Sequence, residues 1–333
     1  MGPEEQEDTP MLEDFSRRSF LRRSLATSTG AAMAFGFEDK NLLARADETE
    51  PAPPDASALS GVTGDMPMGK IKDLQISRVI CGGNLISGFA HSRDLIYVSS
   101  LLRNYFTDER ILDTFAKCEE HGINTAILRM DERTVRVITK YWKERGGKLQ
   151  WIAQIKPRPA DLTSDADQAI EKGAVGVYIQ GETGDAFVRD GNVELLGKVV
   201  EHIRDQHVVA GIGAHAIEVI VESEKAGLNP DFYMKTFNAK NYWSAGPAER
   251  HDSVWEETPE QTRDVFRGVD KPWIAFKVLG AGAITPKEGF NYALENGADF
   301  LCVGMFDFQI QQDAAVAREV LSLLTDRERP WRG

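Results

Sequence analysis

The sequence predicts an α/β fold of the closed parallel kind, a (β/α)8 or TIM barrel preceded by a short hairpin. Three observations carry this reading. Eight short apolar runs recur along the chain with helical stretches between them, and βα units in series point to a closed barrel. The runs Glu171-Lys-Gly-Ala-Val-Gly-Val-Tyr178 and Glu295-Asn-Gly-Ala-Asp-Phe-Leu-Cys-Val-Gly304 both set a glycine at a helix end just before a buried strand, the same αβ turn twice. The 333 residues, 42% hydrophobic and 27% charged, leave room for the roughly 250 that such a barrel needs.

Taken in order, residues 1–46 read as a twin-arginine export signal. Ser16-Arg-Arg-Ser-Phe-Leu-Arg-Arg23 is followed by a weakly apolar stretch from Ser24 to Phe37, then by Ala44-Arg45-Ala46 as a cleavage site. The apolar stretch is too short for stable membrane insertion, which takes about 20 apolar residues. Residues 47–65, rich in Pro, Ala, Asp, Glu and Gly, read as a disordered linker. The barrel domain then covers 66–333, and Met68–Ile76 is expected to form a hairpin plugging its bottom. The strand candidates are Arg78–Cys81, Asn124–Leu128, Leu149–Ile155, Gly176–Ile179, Val208–Ile212, Phe232–Thr236, Trp273–Val278 and Phe300–Val303.

The helices between them follow from caps and periodicity. Thr107 is placed to cap Asp108–Glu120, and Glu132–Arg145 follows the second strand. In Val193–Asp205, residues Val193, Leu196, Val199, Val200 and Ile203 make one apolar face. Ile217–Lys225, Pro259–Arg267, Pro286–Asn296 and Asp313–Leu324 complete the set. Two long loops, 83–106 with His91, Arg93, Asp94 and Tyr97, and 239–258 with Trp243, His251 and Trp255, leave the C-terminal strand ends. They read as lids over a site or as surface insertions.

Composition limits the partners. The net charge is -13, and the first 46 residues contribute little of it, with six basic and eight acidic side chains. Such a chain repels nucleic acid and anionic membranes, so a small-molecule substrate is expected, with the Tat translocase as the partner during export. Cys81, Cys118 and Cys302 form no CxxC pair and read as buried free thiols.

Several segments resemble the aldo-keto reductase superfamily in order and spacing. They are Met66-Pro-Met-Gly through Ile80-Cys-Gly-Gly-Asn84, Gly122-Ile-Asn124, Gly211-Ile-Gly213, Phe237-Asn238, Ala275-Phe-Lys-Val-Leu-Gly-Ala-Gly282 and Val303-Gly304-Met305. The resemblance covers nearly all of the chain beyond the linker, and it extends to Tat-exported aldo-keto-reductase-like proteins of environmental bacteria. It implies a barrel oxidoreductase that reduces small polar carbonyl or sugar-type substrates with NADPH through an Asp, Tyr, Lys and His tetrad. Those tetrad positions here read Ile127, Glu132, Ile155 and Gln180. The Ser-Asn pair that holds the nicotinamide reads His215-Ala216, the sixth-strand Gln reads Met234, and Phe306-Asp-Phe-Gln-Ile310 lacks the basic cluster for a 2′-phosphate. NADP is therefore implied by the resemblance and opposed by the residues.

Polar residues still gather where a barrel keeps its site. The candidate catalytic set is Arg129, Asp131, Lys156, Glu182, His215 and Lys277, with Asn84, Gln180, Lys235, Asn238 and Asp307 as substrate contacts; Gln154 and Asn241 lie at strand ends as well. Lys277, inside an apolar strand, reads as a desolvated base, electrophile or Schiff-base amine, or as a structural lysine paired with Glu182. His215 suits acid–base work, metal ligation or a structural hydrogen bond. Asp131 and Glu182 suit a carboxylate pair, although Asp131 also suits a helix N-cap. Arg129 suits an oxyanion. Gly280, Gly282 and Gly304 read as a cofactor or phosphate cradle, or as tight turns. A metal site from His215, Glu182 and Asp131 is not expected, because no HxH or HExxH pair is present. Three functions follow: the oxidoreductase, a cofactor-independent lyase, isomerase or hydrolase, and a non-catalytic ligand-binding barrel.

Overall fold

The computed structural model describes residues 65–89, 95, 97–239, 255–325 and 327–333. The export signal, most of the linker, His91, Arg93, Asp94, Asn241, Trp243 and His251 lie outside the described residues.

Strands β1 (Met68–Ile71) and β2 (Leu74–Ser77) pair antiparallel around the turn Lys72-Asp73. Their inner residues, Ile71 and Ile76, are fully buried and join Ile80, Phe232 and Phe300 in one apolar cluster, so the hairpin closes the barrel bottom as expected. Eight parallel strands then form the closed barrel: β3 (Val79–Gly82), β4 (Thr125–Arg129), β5 (Gln150–Ile155), β6 (Gly176–Ile179), β7 (Val209–Ala214), β8 (Phe232–Thr236), β9 (Trp273–Phe276) and β10 (Phe300–Val303). Neighbours in the chain are neighbours in the sheet, and β10 returns to pair with β3.

Helices surround the strands: α1 (Tyr97–Tyr105), α2 (Asp108–Glu120), α3 (Glu132–Glu144), α4 (Ser164–Glu171), α5 (Gly181–Arg189), α6 (Val193–Asp205), α7 (Glu218–Lys225), α8 (Pro259–Arg267), α9 (Pro286–Glu295) and α10 (Ile310–Leu323). Their starts are dictated locally. Thr107 accepts from the Arg110 N–H, Asp131 from the Thr134 N–H, and Thr285 forms a capping box with Glu288. The expected inner face of α6 is buried at Leu196, Val199, Val200 and Ile203, while Val193 is half-buried.

Strand parity divides the core in two. Ile127, Ile152, Tyr178, Met234, Ile274 and Cys302 point into the barrel, whereas Cys81, Ala126, Trp151, Val177, Tyr233 and Leu301 pack under the helices. Burying each large apolar side chain contributes roughly 1.5–3 kcal/mol, so the helix layer is held mainly by this outer set.

Three expectations are corrected. The loop from Gly83 to Phe106 contains a helix, α1, whose Leu102 is buried. Helices α4 and α5 add to the helices expected: they are short, at eight and nine residues, α4 buries only Ala166 and Ala169, and α5 carries Gly181 and Gly184 within it. Lys277 lies outside its strand. β9 stops at Phe276, and Lys277 takes a left-handed backbone with φ of 61°. It opens a turn in which Gly280, Ala281 and Gly282 also have positive φ, which breaks the ladder.

Candidate functional site

The C-terminal strand ends form a rim whose contributors follow from register. Ile127, Ile152, Tyr178, Met234 and Cys302 make the floor. Above them, positions two residues further along each strand share the inward parity: Arg129 on β4, Gln154 on β5, Gln180 past β6, Thr236 on β8 and Phe276 on β9. His215 follows β7 directly. Its ring centroid lies 5.5 Å from that of Phe276.

His215 is the best-defined group. Its Nδ1 lies 2.7 Å from Asp185 Oδ2, and its backbone N–H and that of Ala216 both donate to Asp185 Oδ1, at 2.9 and 3.0 Å. This triple clasp fixes the ring, and with Nδ1–H donating to the carboxylate, Nε2 is left as the acceptor. Two small residues allow the approach. A Cβ on Gly181 would sit 3.0 Å from His215 Cε1, and one on Gly184 would sit 2.3 Å from the Gly213 carbonyl.

Burial lowers the His215 pKa below its ordinary value. The Asp185 hydrogen bond opposes the shift, and the nearby charges of Lys277 and Lys235 reinforce it. Burial pushes the Asp185 carboxyl upward, but His215 and the two backbone donors outweigh it and leave the pKa below the usual range. Both shifts favour a neutral imidazole beside a carboxylate near neutral pH.

The other predicted residues divide. Arg129 lies over the Phe89 ring at 4.6 Å and reaches Asp131 only at 3.8 Å. Asp131 caps α3 through Thr134, at 2.8 Å. Glu182 is exposed and pairs with Lys156 at 3.4 Å, so neither the Asp131–Glu182 carboxylate pair nor a Glu182–Lys277 pair is formed. Lys277 lies 5.6 Å from the Phe276 ring centroid, on the His215 side of the rim. Asn238 Nδ2 donates to the Lys277 carbonyl at 3.0 Å and braces that turn. Asn84 is half-buried at the end of β3.

Two predicted contacts turn away from the mouth. Lys235, fully buried, has the outward parity of Tyr233 and meets Glu256 at 2.5 Å. Glu256 also accepts from the Thr262 hydroxyl of α8, which makes the pair a strut of the helix layer. Asp307 accepts from the Tyr105 hydroxyl at 2.5 Å and from Arg110 at 2.9 Å, joining the segment after β10 to α1 and α2. Gly280 and Gly282 lie in the left-handed turn; a Cβ on Gly282 would meet nothing within 4 Å. Gly304 is exposed at the end of β10, and a Cβ there would meet Leu85 first, at 3.3 Å. Among the described residues, no group of three or more His, Cys, Asp or Glu side chains is placed to share a metal ion.

Sequence reasoning missed Asp185 and Thr236. The signal for Asp185 was Gly181-Glu-Thr-Gly184-Asp185, where glycines three apart let a helix press against the next strand end. Thr236 looked like an ordinary strand residue. The nicotinamide contacts that the resemblance implies are missing from these residues. The position after β7 holds an imidazole clasped by Asp185, and the β8 position holds the buried thioether of Met234. With Nδ1–H given to Asp185, neither side chain has a donor left for a carboxamide oxygen. Tyr178, the tyrosine within the barrel, is fully buried, and its hydroxyl accepts from Gln154 at 2.7 Å. Burial drives its pKa upward, away from acid duty.

No family model and no curated protein matches the sequence. Solved structures do match in fold. A candidate aldo-keto reductase from Pseudomonas aeruginosa is 13% identical, with a TM-score of 0.57 over 79% of this chain and 99% of that one. A glycerol dehydrogenase from Gluconobacter oxydans is 10% identical, with a TM-score of 0.50 over 74% and 87%. A phospho-2-dehydro-3-deoxyheptonate aldolase from Thermotoga maritima is 11% identical, with a TM-score of 0.50 over 79% and 75%. The chain thus shares the barrel fold of these aldo-keto reductases, and shares it with a phospho-2-dehydro-3-deoxyheptonate aldolase as well.

Proposed function

We propose that this chain is an enzyme of proton transfer acting on a small polar carbonyl or sugar-type substrate at the barrel mouth. The observation that carries this is the His215–Asp185 pair, half-buried at the end of β7 with Nδ1 engaged, which leaves Nε2 as the free acceptor of the ring. Nε2 takes a proton from the carbon next to the substrate carbonyl. The C–H electron pair moves into a C=C bond while the carbonyl pair moves onto oxygen. The resulting oxyanion is stabilised by the positive field of Lys277, and Asp185 stabilises the imidazolium. Return of the proton to the same carbon gives exchange. Where that carbon carries a hydroxyl, passage of the hydroxyl proton to the former carbonyl oxygen, with return of the carbon-bound proton to the former carbonyl carbon, gives the isomer with the carbonyl moved by one position. The apolar floor of Ile127, Ile152 and Met234 strengthens these charges.

The test is solvent exchange. In deuterated buffer, proton NMR of small hydroxy-ketones and ketoses should show loss of the α-proton signal with the intact protein. His215→Gln should abolish it, and Lys156→Gln on the exposed rim should not. Exchange that survives His215→Gln would sink the reading.

A second reading, reduction of a carbonyl by NADPH, is favoured by the fold match to a glycerol dehydrogenase and by the open turn at Gly280–Gly282. Protein-dependent quenching or enhancement of NADPH fluorescence would support it. We place the activity outside the cytoplasm because of the Arg17-Arg18 signal. A tagged full-length chain that stays cytoplasmic would contradict this.

A further inference from the structure

We infer that the ligand of this site is a polyhydroxylated carboxylate, a sugar acid, lying across the mouth from β4 to β8. The inference rests on the placement of the site proposed above, and it concerns binding rather than chemistry. Its first support is a set of unmet acceptors. Gln180 Oε1, Thr236 Oγ1 and Asn238 Oδ1 are all buried without a hydrogen-bond partner among the described residues, and Thr236 and Asn238 are 0% and 2% exposed. Buried polar atoms are nearly always paired, by ligand or water where the protein does not serve. The Asn238 orientation is fixed, because Nδ2 must be the atom that donates to the Lys277 carbonyl, which leaves the oxygen facing the other way. The remaining unpaired side-chain atoms, on Ser223, Arg263, Trp273, Arg318 and Arg327, belong to helices, the start of a strand or the C-terminal segment, and none to a strand's C-terminal end.

The two amide oxygens ask for hydrogen-bond donors, and the Thr236 hydroxyl can take or give one. A simple ketone or aldehyde has none, whereas a row of ligand hydroxyls supplies them. The second support is Arg129. Its guanidinium carbon lies 4.6 Å from the Phe89 ring centroid, the group makes no hydrogen bond to a described side chain, and it stands 3.8 Å from an Asp131 whose Oδ1 is already used in a cap. That leaves its fork open to a planar carboxylate. Asp131, Glu182 and Asp185 around the rim disfavour a doubly charged phosphate more than a single carboxylate.

The topology sets the ligand length. The barrel order β4-β5-β6-β7-β8 puts Arg129 and Thr236 on opposite sides of an eight-stranded ring, with His215 on the arc between. An extended chain anchored at both ends therefore spans the mouth, with the imidazole on the rim to one side of it.

The test is calorimetric titration of the full chain with gluconate, galactonate and glucuronate, against sorbitol, pyruvate and glucose 6-phosphate. At least one sugar acid should bind roughly tenfold or more tighter than each of the three comparison compounds. Thr236→Val, which keeps the side-chain shape, and Arg129→Gln should each weaken that binding by about tenfold, with unchanged circular dichroism spectra. Arg129→Gln should also erase the preference over sorbitol. The inference is overturned if no sugar acid binds, if sorbitol, pyruvate or glucose 6-phosphate binds as tightly, or if Thr236→Val binds like the parent. His215→Gln separates the two claims. Sugar-acid binding retained with no exchange in any protein would sink the chemistry alone. Exchange on uncharged ketoses without sugar-acid binding would sink this inference alone.

Discussion

The two ends of the barrel treat polar groups in opposite ways. At the bottom, Arg329 is 1% exposed and donates five hydrogen bonds, to the carbonyls of Phe266, Val269, Lys271 and Gly297 and to Asp299. Asp299, fully buried, also accepts from the Trp273 and Arg332 N–H groups and lies 3.6 Å from Arg327. Trp331 is enclosed by Arg78 at 3.9 Å and Arg327 at 3.4 Å. At the mouth, Gln180, Thr236 and Asn238 keep buried oxygens without partners among the described residues, and Lys277 holds a left-handed backbone. The bottom is thus dense in internal hydrogen bonds, although Trp273 Nε1 and Arg327 Nη2 have no hydrogen-bond partner there among the described residues, whereas the mouth leaves three buried oxygens unpaired beside a left-handed turn, where a ligand could complete them. This is the division of a barrel into a stability face and a chemical face.

The largest effect that would break this comparison is at Asp299. Asp299→Ala leaves Arg329 buried and uncompensated, and urea unfolding should show a loss of about 3–5 kcal/mol. A loss under about 1 kcal/mol would remove the contrast, since that is the range of exposed pairs. At the mouth, Asp185→Asn should instead lower exchange activity by roughly 10²–10⁴-fold, the contribution of a positioned acid–base group, while the melting temperature changes little. A comparable collapse in stability would make the His215–Asp185 clasp a structural element.

Titration sharpens the same contrast at smaller size. The folded-state pKa of His215 is depressed, so the imidazole stays neutral to lower pH than in the unfolded chain. The activity profile should then hold its base limb to below about pH 6.5, and the pair's contribution to stability should fall as pH drops through that point. Asp313, in the first turn of α10, behaves oppositely. Burial alone raises its carboxyl to about 7. The unfolded chain loses that proton first, so stability declines as pH rises from the ordinary carboxylate value to about 7. Asp313→Asn should remove this slope and add on the order of 2 kcal/mol at pH 8, read from urea midpoints at pH 5 and 8. The smallest change expected is for Thr236→Val without ligand. Removing an unpaired buried hydroxyl should alter stability by less than about 1 kcal/mol in either direction. A large loss would mean that the hydroxyl is bonded within the protein.

Much of the barrel was legible because its signals are local. β6, β8, β10, α2, α6 and α8 have the bounds read from the sequence, since apolar runs, caps and Pro at a first turn act within a few residues. The misses were also local in cause. Helix α5 buries Gly181, Gly184 and Phe187, a face on which two of three residues are glycines that read as turn, and β9 ends one residue before Lys277 because the backbone turns left-handed there. The site was legible as a list, and its pairings were not. His215 was singled out, yet its partner Asp185 lies thirty positions earlier, in the helix that went unread. Lys235 and Asp307 had the right residue type and the wrong direction, because one residue of strand parity or one tether to α1 decides which side a charge faces.

The sequence by itself determined the alternation of strands and helices, the apolar faces and which polar residue types stand at the strand ends, because each is written in short-range pattern or residue identity. Only the tertiary structure decided which polar groups meet: Asp185 with His215, Lys235 with Glu256, Asp299 with Arg329. Those contacts depend on ring closure and strand register, which bring residues far apart in the chain within hydrogen-bond distance and are recorded in no single segment.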